Sequence, residues 1–166
     1  MSGASGAGRK EAVPLLFCEI QNSLRPYSVP RHRHLSEIRQ ELSLAAGHQV
    51  KISFVPHIVP VHAGICSTIF ADLKPGVTLN EIGTCLEQAY GDQSFVRLLG
   101  AGGCPDTKNV VGTNFIDIGW AFDADAERLI LLSAEDNLGK GAASQAVQNF
   151  NLTHGLHPAV GLLPQP

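Results

Sequence analysis

Two apolar segments, VVGTNFIDIGWAF (110–122) and ERLILLSAE (127–135), limit what this chain can fold into more than any other feature. Only the polar 123-DADA-126 stands between them. Long apolar arms around so short a polar turn predict a β-hairpin. Such a hairpin needs further strands and a covered face before it is stable in water.

The rest of the chain supplies candidates. SFVRLL (94–99) and GICSTIFADL (64–73) read as strands, and LLFCEI (15–20) as a short buried one ended by the polar QNS and an Arg-Pro-Tyr turn. Val50, Ile52 and Phe54 alternate with polar residues, which predicts a half-buried strand, and Pro56 and Pro60 interrupt its ladder. Ser36 is placed to cap a helix carrying Ile38, Leu42 and Ala45 on one face, stopped by Gly47. After the Pro75-Gly76 turn, Thr78 caps a second helix, with Ile82, Leu86 and Ala89 at helical spacing. The segment 137-NLGKGAASQAVQNFNL-152 reads as a closing helix capped by Asn137 or Asp136, with Ala142, Ala146, Val147 and Phe150 facing inward. GAGGCPDTKN (100–109) is a loop, and the opening SGASGAGRK predicts no regular structure. This order implies an α+β fold: a mixed, largely antiparallel sheet with helices packed on one face. The 166 residues fit one domain.

Composition narrows the function. A hydrophobic share of 44% against 16% charged residues describes a compact globule, and a net charge of −3 argues against a general nucleic-acid binder. Arg9, Lys10, Arg25, Arg31, Arg33 and Arg39 nevertheless crowd the first quarter, a local patch suited to a small anion. Without a membrane-length apolar stretch or a signal peptide, a soluble cytoplasmic protein is expected. Cys18, Cys66, Cys85 and Cys104 form no CxxC pair and sit in or beside apolar runs, which predicts buried free thiols.

Chemistry concentrates in 26-PYSVPRHRHLSEIRQEL-42. In an extended segment His32 and His34 share one side, and Arg31 and Arg33 the other. Imidazoles move protons near neutral pH, and arginines such as Arg31 hold anions. The competing reading is a solvated basic lead-in to the helix. A metal site with His57 and His62 is disfavoured, since no carboxylate or cysteine stands at ligand spacing and the arginines repel cations. SGASGAG offers clustered backbone N–H groups as an anion nest, or else is a floppy linker. It lacks the preceding strand that a dinucleotide fingerprint needs.

SGASGAGR, RHRH before a helix, FVPHIVPVHAG, PDTKNVVGTN and DNLGKGAASQAVQN, in this order from Ser2 to about Leu152, resemble the C-terminal half of the N-acetyl-gamma-glutamyl-phosphate reductase family. The resemblance implies a domain similar to the C-terminal domain of glyceraldehyde-3-phosphate dehydrogenase. It implies NADPH-dependent reduction of an acyl phosphate to a semialdehyde in arginine biosynthesis. The substrate would be N-acetyl-glutamyl phosphate, or its semialdehyde in reverse. His32, and next His34, would be the acid–base group, with Ser2, Gly3 and Tyr27 lining the substrate pocket. Asn137, Lys140 and Gly141 would touch the nicotinamide end of NADP. The dinucleotide-binding domain and the nucleophilic cysteine of the family have no counterpart in these residues, so the chain reads as the substrate and dimerisation domain cut free of its cofactor domain, inactive alone. A homodimer or tetramer is implied. Where the family commonly has arginine before the glycine of VPHIVPVHAG, this chain has Ala63. Two alternatives remain: a reductase of the lysine-pathway analogue, and a stand-alone, non-catalytic anion-binding or dimerisation module.

Overall fold

A computed structural model describes residues 1–8 and 11–162. The expected hairpin is its centre. Strands β5 (Ile116–Asp123) and β6 (Arg128–Glu135) pair antiparallel, from Asp123 opposite Arg128 to Ile116 opposite Glu135. Asp123 shapes the turn: its Oδ1 accepts the backbone N–H groups of Asp125 and Ala126, each at 3.1 Å. β3 (Ile65–Asp72) extends the sheet antiparallel to β6, and β4 (Val96–Ala101) joins β5 in parallel. The order is β3-β6-β5-β4. This is the mixed, largely antiparallel sheet that the sequence predicts.

Helix α3 (Leu79–Tyr90) covers one face. Its start is a full capping box: the Thr78 hydroxyl accepts the Glu81 N–H, and the Glu81 carboxylate accepts the Thr78 N–H. Gly83 brings the helix close to the sheet, since a Cβ there would lie 3.3 Å from the Trp120 ring. Trp120 is accordingly buried. At Gly119 the backbone of the 101–104 loop crosses so closely that a Cβ would meet the Gly103 carbonyl at 1.9 Å. The outer strand β3 leaves Ile69 and Phe70 half exposed.

Five expectations need correction. LLFCEI is no strand: a 3-10 turn (Val13–Leu15) runs into the single helical turn α1 (Phe17–Ile20). Of that apolar run Ile20 is buried, while Phe17 is 78% exposed. Val50, Ile52 and Phe54 are more buried than their neighbours, as their alternation requires, but they join no ladder. Pairing there is confined to β1 (Arg25–Pro26) against β2 (His57–Ile58). Helix α2 (Leu35–Ala46) ends at Gly47 in the left-handed region, as expected. Its start has no side-chain cap, because the Ser36 hydroxyl donates instead to the Arg33 carbonyl; Leu42 and Ala45 lie exposed.

The closing helix is turned over. A π-helical turn (Gly139–Ala143) leads into α4 (Ser144–Thr153), which buries Gln148 and Asn151 and exposes Ala142, Ala146, Val147 and Phe150. The buried amides are satisfied: Gln148 Oε1 accepts from Asn114 and Lys140, and Asn151 Nδ2 donates to the carbonyls of Pro158 and Val160. The four cysteines are free, but Cys18, Cys85 and Cys104 are exposed and Cys66 is half-buried. Among the described residues, no helix is long and apolar enough to cross a membrane.

Candidate functional site

The opening segment, expected to be irregular, is tied down. The N–H groups of Ser2, Gly3, Ala4 and Ser5 donate to the carbonyls of His57, Gly64, Val61 and His62, at 2.8–3.0 Å. Those donors are therefore spent, and the segment is not the anion nest that its glycines suggest. Gly3 is required by this docking, since a Cβ would lie 2.8 Å from the His62 carbonyl. Arg9 and Lys10, the basic end of the segment, lie outside the described residues.

Docked in this way, Ser2 and Gly3 form one wall of a cleft of about 260 Å³, completed by Ala7, Pro14, Leu15, Arg25, Tyr27 and Ile58. Tyr27 carries the cleft to the histidines. Its ring meets His32 edge-on at 5.4 Å between centroids, and His32 meets Phe54 at 5.4 Å and His34 at 4.9 Å. Four of the expected residues thus gather at one place: Ser2, Gly3, Tyr27 and His32, with His34 beside them. Arg31 is exposed and does not line the cleft; Arg25 does. The sequence carried a signal for that. In extended backbone, residues two apart share a face, so Arg25 goes with Tyr27.

His32 is held in a defined state. Its Nδ1 accepts the backbone N–H of His34 at 3.2 Å, which favours the tautomer with hydrogen on Nε2 and leaves Nε2 as the nitrogen open to a ligand. Partial burial lowers its pKa below the ordinary imidazole value, and the charges of His34 and Arg33 lower it further. Neutral His32 is then the main form at pH 7. Among the described residues, no three His, Cys, Asp or Glu side chains converge as a metal site would require.

The three residues expected at a nicotinamide ring make contacts within this chain. Asn137 Oδ1 accepts the buried N–H of Gly64 at 2.7 Å, and its Nδ2 donates to the Ser5 hydroxyl at 2.9 Å. Asn137 thus fastens the cleft wall to the end of β6. Lys140 Nζ donates to Gln148 Oε1 at 2.8 Å and lies over the Phe95 ring at 5.8 Å. Burial lowers its pKa and raises that of Glu135, while the attraction between the two opposes both shifts. Gly141 is exposed, its N–H bonded to the Asp136 carbonyl. Both polar side chains thus have hydrogen-bond partners within this chain. Gly141, Ala142 and Ala143 are exposed and small, a surface that a flat ring could lie against.

The model of the family "Semialdehyde dehydrogenase, dimerisation domain" matches residues 1–137. The chain belongs to the semialdehyde dehydrogenase dimerisation-domain family. Curated proteins named N-acetyl-gamma-glutamyl-phosphate reductase are similar throughout: one from Akkermansia muciniphila is 57% identical over 97% of this chain and 46% of its own length. One from Acetivibrio thermocellus is 48% identical over the same shares. The chain therefore spans about half the length of the curated relatives it matches. Among solved structures, aspartate semialdehyde dehydrogenase II from Vibrio cholerae, complexed with ASA, superposes with a TM-score of 0.68 at 17% identity, over 92% of this chain and 52% of that one. At that identity the likeness speaks for the fold.

Proposed function

We propose that this chain is the substrate-binding and dimerisation half of a cytoplasmic, NADP-dependent N-acetyl-gamma-glutamyl-phosphate reductase, which interconverts the acyl phosphate and its semialdehyde. The edge contact of Tyr27 with His32 at the end of the Ser2–Gly3 cleft carries this reading, because it sets a proton-moving group beside a pocket of small-molecule size. The name shared by relatives at 57% and 48% identity supports the substrate class.

In this reading His32 is the acid–base group. Its Nε2 would exchange a proton with the substrate oxygen, which is a carbonyl in both the acyl phosphate and the semialdehyde and a hydroxyl only in the thiol adduct between them, the thiol being supplied by the other half of the enzyme. Taking up a proton there requires the other tautomer and gives up the bond from the His34 N–H. That bond is long and neutral, so the change costs on the order of 1 kcal/mol. Tyr27 orders the ring by edge packing, and Ser2 and Gly3 shape the wall against which the substrate lies. NADP would supply or accept the hydride, bound mainly by the other half of the enzyme.

The exposed Phe70 on the outer strand β3 suits a surface covered by a second copy, in keeping with the family's description. The test is to join this chain to the dinucleotide-binding half of the Akkermansia relative. NADP reduction by N-acetyl-glutamate semialdehyde and phosphate is then followed. Phosphate-dependent turnover is expected. No turnover by a folded chimera, with the parent relative active in the same assay, would sink the reading.

A further inference from the structure

The segment 50–54 joins no ladder, and the function proposed above gives it no task. Side chains hold it instead. From α2, Ser43 Oγ accepts the Val50 N–H at 2.9 Å, and Arg39 Nη2 donates to the Ile52 carbonyl at 3.2 Å. Farther along, the Pro56 carbonyl accepts the Tyr27 N–H at 3.1 Å. Tyr27 precedes His32 in the chain and α2 follows it, so the segment is fastened on both sides of that histidine. Its alternation turns Phe54 inward between the fastenings.

There the Phe54 ring meets the His32 imidazole edge-on, at 5.4 Å between centroids and 70° between planes. Tyr27 and His34 meet the same imidazole at 75° and 74°. Of these three rings only Phe54 carries no polar atom. The imidazole torsion is broad by itself, so packing of this kind decides the plane of the ring.

Resting on the function proposed above, we propose that Phe54 is a positioning residue for His32: its ring fixes the plane of the imidazole and keeps water from one side of it. Excluding water favours the neutral imidazole, and burial is the leading cause of the lowered His32 pKa, ahead of the charges of His34 and Arg33. The other titratable or charged neighbours are Tyr27, the exposed Arg31 and Glu37, Lys51, which alternation turns away from Phe54, His57, bonded to the Val55 carbonyl, and Arg39. Replacing Phe54 leaves every one of them in place. Attraction between an imidazolium and a ring face acts in the opposite sense, so the direction of the shift decides between the two effects.

The experiment is an NMR titration of the His32 ring in this chain, identified by the signal that His32→Asn removes, beside the pH profile of the two-domain enzyme. In Phe54→Leu the midpoint should rise toward the ordinary imidazole value, and the acid limb of kcat/KM should rise with it. There kcat should fall by about 10-fold, a fraction of the effect of losing the acid–base group, with KM little changed. Phe54→Tyr, which keeps the ring, should restore both. Ile52→Ala loosens the same segment without removing a ring from His32, and should lower Tm while leaving the titration unmoved. A midpoint that falls or stays in Phe54→Leu overturns the inference, as does an equal shift in Ile52→Ala. If Phe54→Leu does not fold, the unaltered chain decides: a missing nuclear Overhauser contact between the two rings overturns the inference equally. A midpoint that rises while the acid limb stays fixed upholds the packing and defeats His32 as the acid–base group instead.

Discussion

Replacing Asn137 with alanine separates two roles for a residue at the heart of the site. One amide links two segments: it accepts from the buried Gly64 N–H at 2.7 Å and donates to the Ser5 hydroxyl at 2.9 Å. Asn137→Ala leaves the Gly64 N–H buried and without a partner, at a cost of about 1–3 kcal/mol, and loses the Ser5 bond at about 1 kcal/mol. The sum is about 2–4 kcal/mol, a fall in Tm of roughly 4–16 °C for a chain of this size. Ser5→Ala removes the weaker contact alone and should cost about 1 kcal/mol. Thermal unfolding gives both values, and amide hydrogen exchange at Gly64 should speed up in Asn137→Ala and much less in Ser5→Ala. Because the fastened segment walls the cleft, KM for the semialdehyde should rise in Asn137→Ala. An unchanged Tm with a raised KM for NADP would refute this reasoning and assign the side chain to the cofactor.

Four more outcomes follow from the same structure. Thr78→Ala should destabilise the fold by about 1 kcal/mol through loss of the capping box, measured by urea unfolding, whereas Gly119→Ala should cost more than about 3 kcal/mol because its methyl group meets backbone. Glu135 has a raised pKa when folded, so the folded chain holds its proton more tightly than the unfolded chain does; stability falls as pH rises from the ordinary carboxylate range through that raised value. Glu135→Gln should flatten this fall in pH-dependent denaturation, and an unchanged slope would count against the burial of the carboxylate. Sedimentation at micromolar concentration should show self-association, weakened by Phe70→Glu; a well-folded monomer would speak against β3 as part of the contact.

Local chemistry made some of this fold legible. Asp123 and its turn, Thr78 with Glu81, and Gly47 at the end of α2 act through bonds to their immediate neighbours, so the sequence alone reveals them. LLFCEI misled because a short apolar run fits a strand or a helical turn equally, and tertiary packing buries only Ile20. Alternation correctly marked which of residues 50–54 turn inward, but pairing requires a neighbouring strand that periodicity cannot supply. In α4 the apolar stripe exists and faces outward, because Asn114, Lys140 and two carbonyls satisfy the buried amides. At the site, the resemblance placed Tyr27 and His32 beside the Ser2–Gly3 wall. It missed that the segment's N–H groups are consumed in holding it there, and the chemistry of the basic cluster pointed to Arg31 where the cleft is lined by Arg25.

The central claim is that His32 moves the proton at this cleft. Its direct test is the pH profile of kcat/KM for semialdehyde oxidation by the two-domain enzyme, with and without His32→Asn. Neutral His32 is the base in that direction, so activity should fall as pH drops through a value below 6.5, the ordinary imidazole value, in line with its lowered pKa. His32→Asn should abolish that acid limb and lower kcat by about 10²–10⁴ with a much smaller change in KM. His34→Asn should keep the limb. If His32→Asn retains both kcat and the acid limb while His34→Asn loses them, the proton belongs to His34 and the account of the site is wrong.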